Sequence, residues 1–155
     1  MGIPEEIIPY NMNTGIHGVT FKEYGFVVFR YKNGISFLKT MCGEAGGFER
    51  RQLVVCGSKG TVEIKPLEWY EGDKLSSGIR AACNESETDH FPWHQKGEYS
   101  QSEPLDRYEE MLKDFAAKVQ KGDIIEEEYE REARVHRLVL AASGITCDYK
   151  GEIKL

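Results

Sequence analysis

One stretch constrains this chain more than any other. It runs from Glu23 to Ile64 and reads EYGFVVFRYKNGISFLKTMCGEAGGFERRQLVVCGSKGTVEI. Phe26-Val27-Val28-Phe29 leads into Lys32-Asn33-Gly34, and Ile35-Ser36-Phe37-Leu38 leads out. Asn-Gly between two runs of β-branched and aromatic residues predicts a hairpin with a type I′ turn, because both residues tolerate positive φ. A second connection, Gly57-Ser58-Lys59-Gly60, joins Leu53-Val54-Val55-Cys56 to Thr61-Val62-Glu63-Ile64. The centre of the chain is therefore expected to be an antiparallel sheet.

That sheet carries apolar residues on both faces. Phe26 and Val28 alternate with Val27, Phe29 and Tyr31, and Leu53-Val54-Val55 repeats the pattern. A sheet solvated on one side alternates apolar with polar residues instead. Two readings stand: helices cover part of both faces, or helices cover one face and another subunit or domain covers the second.

Elsewhere strands give way to helices. Glu5 to Tyr10 reads as a short extended segment that Pro4 and Pro9 limit to an edge or an entry. Pro66 to Gly72 leaves the sheet, Leu75 to Cys83 is a further strand weakened by Gly78, and Asn84 to Ser102 is a polar loop of 19 residues. Pro104 to Lys121 places Leu105, Tyr108, Met111, Leu112, Phe115, Ala116 and Val119 on one stripe, with Gly122 just past the end. Asp123 to Glu126 has capping-box form. The helix it opens runs to about Ser143, and its second half, Val135 to Ala142, is apolar nearly all round and predicted to be buried. Glu152 to Lys154 reads as an edge strand. Strands followed by a helical pair define an α+β class: a mainly antiparallel open sheet, helices on one face, the other face available for association. At 155 residues the chain is read as a single domain spanning 1–155.

Bulk properties narrow the function. With a net charge of −6 and no Lys/Arg cluster, nucleic acid is not an expected partner. No apolar run approaches the roughly 20 residues of a membrane helix. The N-terminus lacks the basic and apolar regions of a signal peptide, and the four cysteines are widely spaced, so reduced thiols and a cytoplasmic location are expected.

Gly43-Glu44-Ala45-Gly46-Gly47 lies between predicted antiparallel strands, whereas a dinucleotide fingerprint needs a strand before it and a helix after it. Cys83, His90 and His94 are acceptable zinc ligand types, but Pro92 between the histidines rules out a helical ligand face, no second ligand pair accompanies them, and a solvated loop explains them better. His136 reads as a core histidine, His17 sits in a loop, and no nucleophile motif is present. Trp69, Tyr70, Phe91, Trp93 and Tyr99 lie in or near loops with Phe48 beside the glycine-rich segment, suited either to lining a small polar site or to anchoring loops.

Taken in order, these pieces resemble the C-terminal domain of the glucose–fructose oxidoreductase / inositol dehydrogenase / rhizopine-catabolism (Gfo/Idh/MocA) family. Gly25 to Gly34 is similar to the family's first sheet hairpin, and Val54 to Ile64 to its "v-x-G-x-x-G-t-i-x-i" hairpin. Asp106 to Phe115 is similar to its "y-x-x-x-l-x-d-F" helix, and Glu128 to Ser143 to its closing helix. The resemblance spans nearly the whole chain and lies in the order of motifs.

It implies an NAD(P)-dependent oxidoreductase acting on a sugar, polyol or related hydroxyl compound. NAD or NADP would be bound by an N-terminal Rossmann domain that this chain does not contain, with no cofactor site here. No catalytic residue carries over, because the family's Glu-Lys-Pro and Asp-x-x-x-His segments have no matching positions, and this chain by itself is expected to be inactive. The resemblance also implies self-association through the sheet, as a homodimer or higher. The loop before the second hairpin, with Phe48, Glu49 and Arg50, would face the substrate, and Trp93 and His94 offer a further rim. A plain strand start with solvated charges accounts for Phe48 to Arg50 equally well. The alternative function is a stand-alone association module without enzymatic activity.

Overall fold

The computed structural model describes residues 2–16, 18–83, 96–122 and 126–151. The chain runs β1 (Glu6–Pro9), β2 (Tyr24–Tyr31), β3 (Gly34–Met41), α1 (Gly47–Arg50), β4 (Leu53–Gly57), β5 (Gly60–Ile64), β6 (Trp69–Glu71), β7 (Lys74–Ser76), β8 (Gly78–Cys83), β9 (Glu98–Gln101), α2 (Glu109–Lys121) and α3 (Glu126–Ala142). It is an α+β protein in which every strand pairing among the described residues is antiparallel. The described strands form three sheets, ordered β1-β2-β3, β4-β5-β8-β9 and β6-β7, where one central sheet was expected. The division falls between β3 and β4, where Gly43 and Gly46 at positive φ and the one-turn helix α1 interrupt the extended backbone.

Contacts group the chain into two compact units. The first comprises Met1–Glu44 and Asp123–Leu155. In it, Val27 pairs with Pro9 and Leu38, and Val28 with Ile8 and Phe37, so the two residues face opposite sides of the sheet. Val27 is 3% exposed, whereas Phe37 is 70% exposed. Tyr10, Phe26 and Phe37 form a row of tilted rings at centroid spacings of 6.2 and 5.9 Å. One face of this sheet is thus closed at its centre and the other shows aromatic residues to solvent. α3 lies against β1, and Asn11 Nδ2 donates to the Ala142 carbonyl at 2.7 Å. Glu23 is buried, accepting hydrogen bonds from the Thr14 backbone and hydroxyl.

The β2–β3 hairpin forms where expected, but its two-residue loop is Lys32-Asn33, closed by the Tyr31–Gly34 pair. Neither loop residue has positive φ, so the turn is not type I′. With the loop set one residue earlier, lysine takes the first turn position, and the left-handed region is unfavourable for lysine. α3 ends as predicted: Gly144 has φ +82, its N–H bonds Ala141 O at 2.9 Å, and Ile145 N bonds Leu140 O at 3.0 Å. Its second half is not buried. Val135, His136 and Val139 stay exposed, while Arg137, Leu138, Leu140, Ala141 and Ala142 around the rest of the helix are half-buried.

The second unit is Ala45–Gly122. Leu75 to Cys83 is not one strand. It divides at Ser77 into β7 and β8, and β7 folds back on β6 through Gly72, whose φ of +68 suits the first position of a tight hairpin turn. Gly60 and Gly78 are required by close approach, since a Cβ would sit 2.6 Å from Ala82 O and 2.7 Å from Lys65 O respectively. The end of the expected polar loop is strand β9, paired with β8. Helix α2 begins at Glu109, not Pro104, because Leu105 exchanges backbone hydrogen bonds with Leu75 at 3.0 and 2.9 Å. Its apolar stripe of Tyr108, Met111, Leu112, Phe115 and Val119 is exposed. The capping segment Asp123 to Ile125 and the edge strand expected at Glu152 to Lys154 lie outside the described residues.

Candidate functional site

Within the second unit, Phe48, Glu49, Pro66, Trp69 and Tyr70 line an open cleft of about 490 Å³. Its walls come from three places in the sequence. Gly46, at φ +67, turns the chain into α1, and this single turn lifts Phe48 and Glu49 out of the path between β3 and β4. Pro66 follows β5, and Trp69 and Tyr70 open β6. The β6–β7 hairpin is held by fully buried Ser76, whose hydroxyl donates to Glu71 at 2.7 Å, while Gln101 from β9 donates to the same oxygen at 2.9 Å.

Arg51 ties the walls together. Its carbonyl accepts from Leu67 N at 2.6 Å, fixing the exit of α1 to the β5–β6 connection. Its Nε donates to the Phe48 carbonyl at 3.1 Å, and its guanidinium carbon stands 4.2 Å from the Phe48 ring centroid. Its Nη2 forms an ion pair with Glu68 Oε1 at 2.9 Å. Glu68 Oε2 accepts from Arg107, through Nε at 3.1 Å and through Nη2. The Glu68 side chain is 18% exposed between these two cations. The hydrogen bond from Arg107, aided by the nearby Arg51 charge, holds the Glu68 carboxyl below its ordinary pKa against the opposing effect of burial. The same bond raises the Arg107 guanidinium above its usual value.

The Phe48 ring stacks on Tyr70 at 5.3 Å and an interplanar angle of 7°. Arg51, Phe48 and Tyr70 therefore make a short ladder, and Tyr70, 62% exposed, presents ring surface to the cleft. Among the lining residues none is basic, and Glu49 alone has a carboxylate. It makes no hydrogen bond or ion pair with any described residue, whereas Arg51 and Arg107 are both engaged by Glu68. A wall of aromatic and proline surface with one uncommitted carboxylate suits a small ligand that has an apolar face and hydrogen-bond donors.

Of the residues singled out in the sequence, Phe48 and Glu49 line the cleft, on a helical turn and not a loop. Arg50 follows them, is exposed, and lies outside the lining. Trp93 and His94, and with them His90, lie outside the described residues. Nothing in the sequence singles out Pro66, Arg51, Glu68 or Arg107. Trp69 and Tyr70 read in the sequence only as loop aromatics, and their nearness to Phe48 depends on the β6–β7 hairpin. Cys42, Cys56 and Cys83 are exposed and Cys147 is half-buried. No three His, Cys, Asp or Glu side chains among the described residues are grouped to hold a metal, and no helix among them is long and apolar enough to cross a membrane. Gly43 to Gly47 leads into a single helical turn of four residues, too short to cradle a pyrophosphate, so these residues do not fit a dinucleotide. No protein-family model, curated protein or solved structure matches the chain.

Proposed function

We propose that this chain is the substrate-binding and self-associating domain of a cytoplasmic NAD(P)-dependent oxidoreductase of the Gfo/Idh/MocA type, acting on a sugar, polyol or related hydroxyl compound. The order of motifs along the chain and the antiparallel α+β architecture support the family reading. The observation that carries the substrate reading is the Phe48–Tyr70 stack beside the uncommitted Glu49 carboxylate. The C–H face of a sugar or cyclic polyol packs on exposed aromatic surface, and a carboxylate accepts charge-assisted hydrogen bonds from its hydroxyls. This chain's share of the work is to bind and orient the hydroxylated carbon, and dinucleotide binding falls to another domain.

Ligand-observed NMR on the purified chain with a panel of monosaccharides and cyclic polyols tests the substrate reading. Saturation transfer to at least one member is expected, with the signal lost in Tyr70→Ala. A panel with no binder sinks it and leaves the second reading, a non-enzymatic association module, which the exposed aromatic face of the β1-β2-β3 sheet favours. An NADH titration of the same chain is expected to show no stoichiometric binding. A Rossmann segment in the same reading frame as this chain is the gene-level expectation.

A further inference from the structure

We infer that the ligand of the aromatic cleft carries a positive charge, so that among hydroxylated compounds the site selects amino sugars or amino polyols over their neutral counterparts. The inference rests on the reading of this cleft as a ligand site. Three observations carry it. The only carboxylate in the lining is that of Glu49, no basic side chain stands beside it there, and it has no partner among the described residues. Two guanidiniums beside the cleft are committed elsewhere: Arg51 to Glu68 and to the ring of Phe48, and Arg107 to Glu68. The walls around Glu49 are Phe48, Trp69 and Tyr70, rings whose negative faces attract ammonium groups.

The chain already shows this chemistry internally, with Arg51 seated 4.2 Å over Phe48. That leaves Tyr70, on the other member of the stack, with open ring surface for a cation from outside. An ammonium placed between Tyr70 or Trp69 and Glu49 would gain both the ring quadrupole and the carboxylate, while the sugar ring keeps its apolar contact. The net charge of −6 adds an attraction for cationic ligands at long range. A neutral hydroxyl in the same place gains only the hydrogen bond.

The test compares matched pairs on the intact chain: glucosamine against glucose, with tetramethylammonium as a probe of the cation subsite alone. Quenching of Trp69 reports binding in a Trp93→Phe background, which leaves Trp69 the single tryptophan. Glucosamine is expected to bind about fivefold more tightly than glucose at neutral pH. The ratio should collapse towards one in Glu49→Gln and at about 1 M salt, where the screening length is about 3 Å. Glu49 is exposed, so its replacement should leave the melting temperature unchanged and the comparison interpretable. Equal affinities for the two sugars, or a preference that survives Glu49→Gln, would overturn the charge selection while leaving the polyhydroxylated-ligand reading intact. Binding of tetramethylammonium lost in Glu49→Gln, with no response to either sugar, would uphold the cation subsite and remove the sugar reading. No response to any of the three would remove both.

Discussion

At Glu68 two arginines share one carboxylate, and the cleft is built on that sharing. Arg51 and Arg107 reach it from the end of α1 and from the segment before α2, which brings Phe48 to Tyr70. Because its folded-state pKa is lowered, Glu68 contributes stability that is complete above its unfolded value, about 4.3. That stability is lost as pH falls through the lowered folded value. Melting temperature followed from neutral pH down to about 3 should therefore drop less steeply in Glu68→Gln than in the parent. Parallel curves would show that Glu68 is not linked to folding. Tyr70→Ala belongs to the same scale. With most of its side chain already in solvent, the substitution should change stability by less than about 1 kcal/mol yet weaken sugar binding by about fivefold or more.

Among the elements, the tightest constraint is the passage of β5 against β8. A Cβ at Gly60 would lie 2.6 Å from Ala82 O, a backbone atom that can yield only by distorting the strand. Gly60→Ala should cost about 1–3 kcal/mol by overpacking, read as a melting temperature lower by several degrees. Gly57, one residue before the same turn, meets nothing closer than 3.7 Å, and its alanine variant is the control expected to stay near the parent. The two glycines look alike in the sequence. Their different weights come from β8, which pairs with β5 and not with β4. The split of Leu75 to Cys83 into β7 and β8 has a similar origin. The backbone bonds from Lys65 N to Gly78 O at 2.8 Å and from Gly78 N to Pro66 O at 3.3 Å return the chain to the sheet after the β6–β7 hairpin, and no local propensity announces that change of partner.

For the whole molecule the open question is what meets the exposed aromatic face of the first unit's sheet. Val27 and Phe29 share the face that is closed at Val27, so a charge placed there tests folding rather than association. The informative substitutions are on the other face, at Phe37 and at Ile35, which are 70% and 69% exposed. Light scattering across a dilution series is expected to give a dimer or larger, reduced to a monomer by Phe37→Lys with the melting temperature held. A monomeric parent would remove self-association and leave the cleft reading untouched.

What the sequence determined by itself was local. Alternating β-branched and aromatic residues between glycine turns specified antiparallel hairpins, because their period and their turn chemistry act over a few residues. The apolar stripe before Gly122 and the Gly144 stop marked two helices for the same reason. Phe48 and Glu49 were legible as site candidates from their place beside a glycine-rich turn and from the family resemblance. Only the tertiary structure decided that strands from one apparent sheet fall into separate sheets, that Leu105 leaves its helix to bridge Leu75, and that Trp69 and Tyr70 come beside Phe48. Each of those outcomes depends on contacts between residues about 20 or more apart in the chain, whose energies arise from pairing and packing and leave no periodic trace in the sequence.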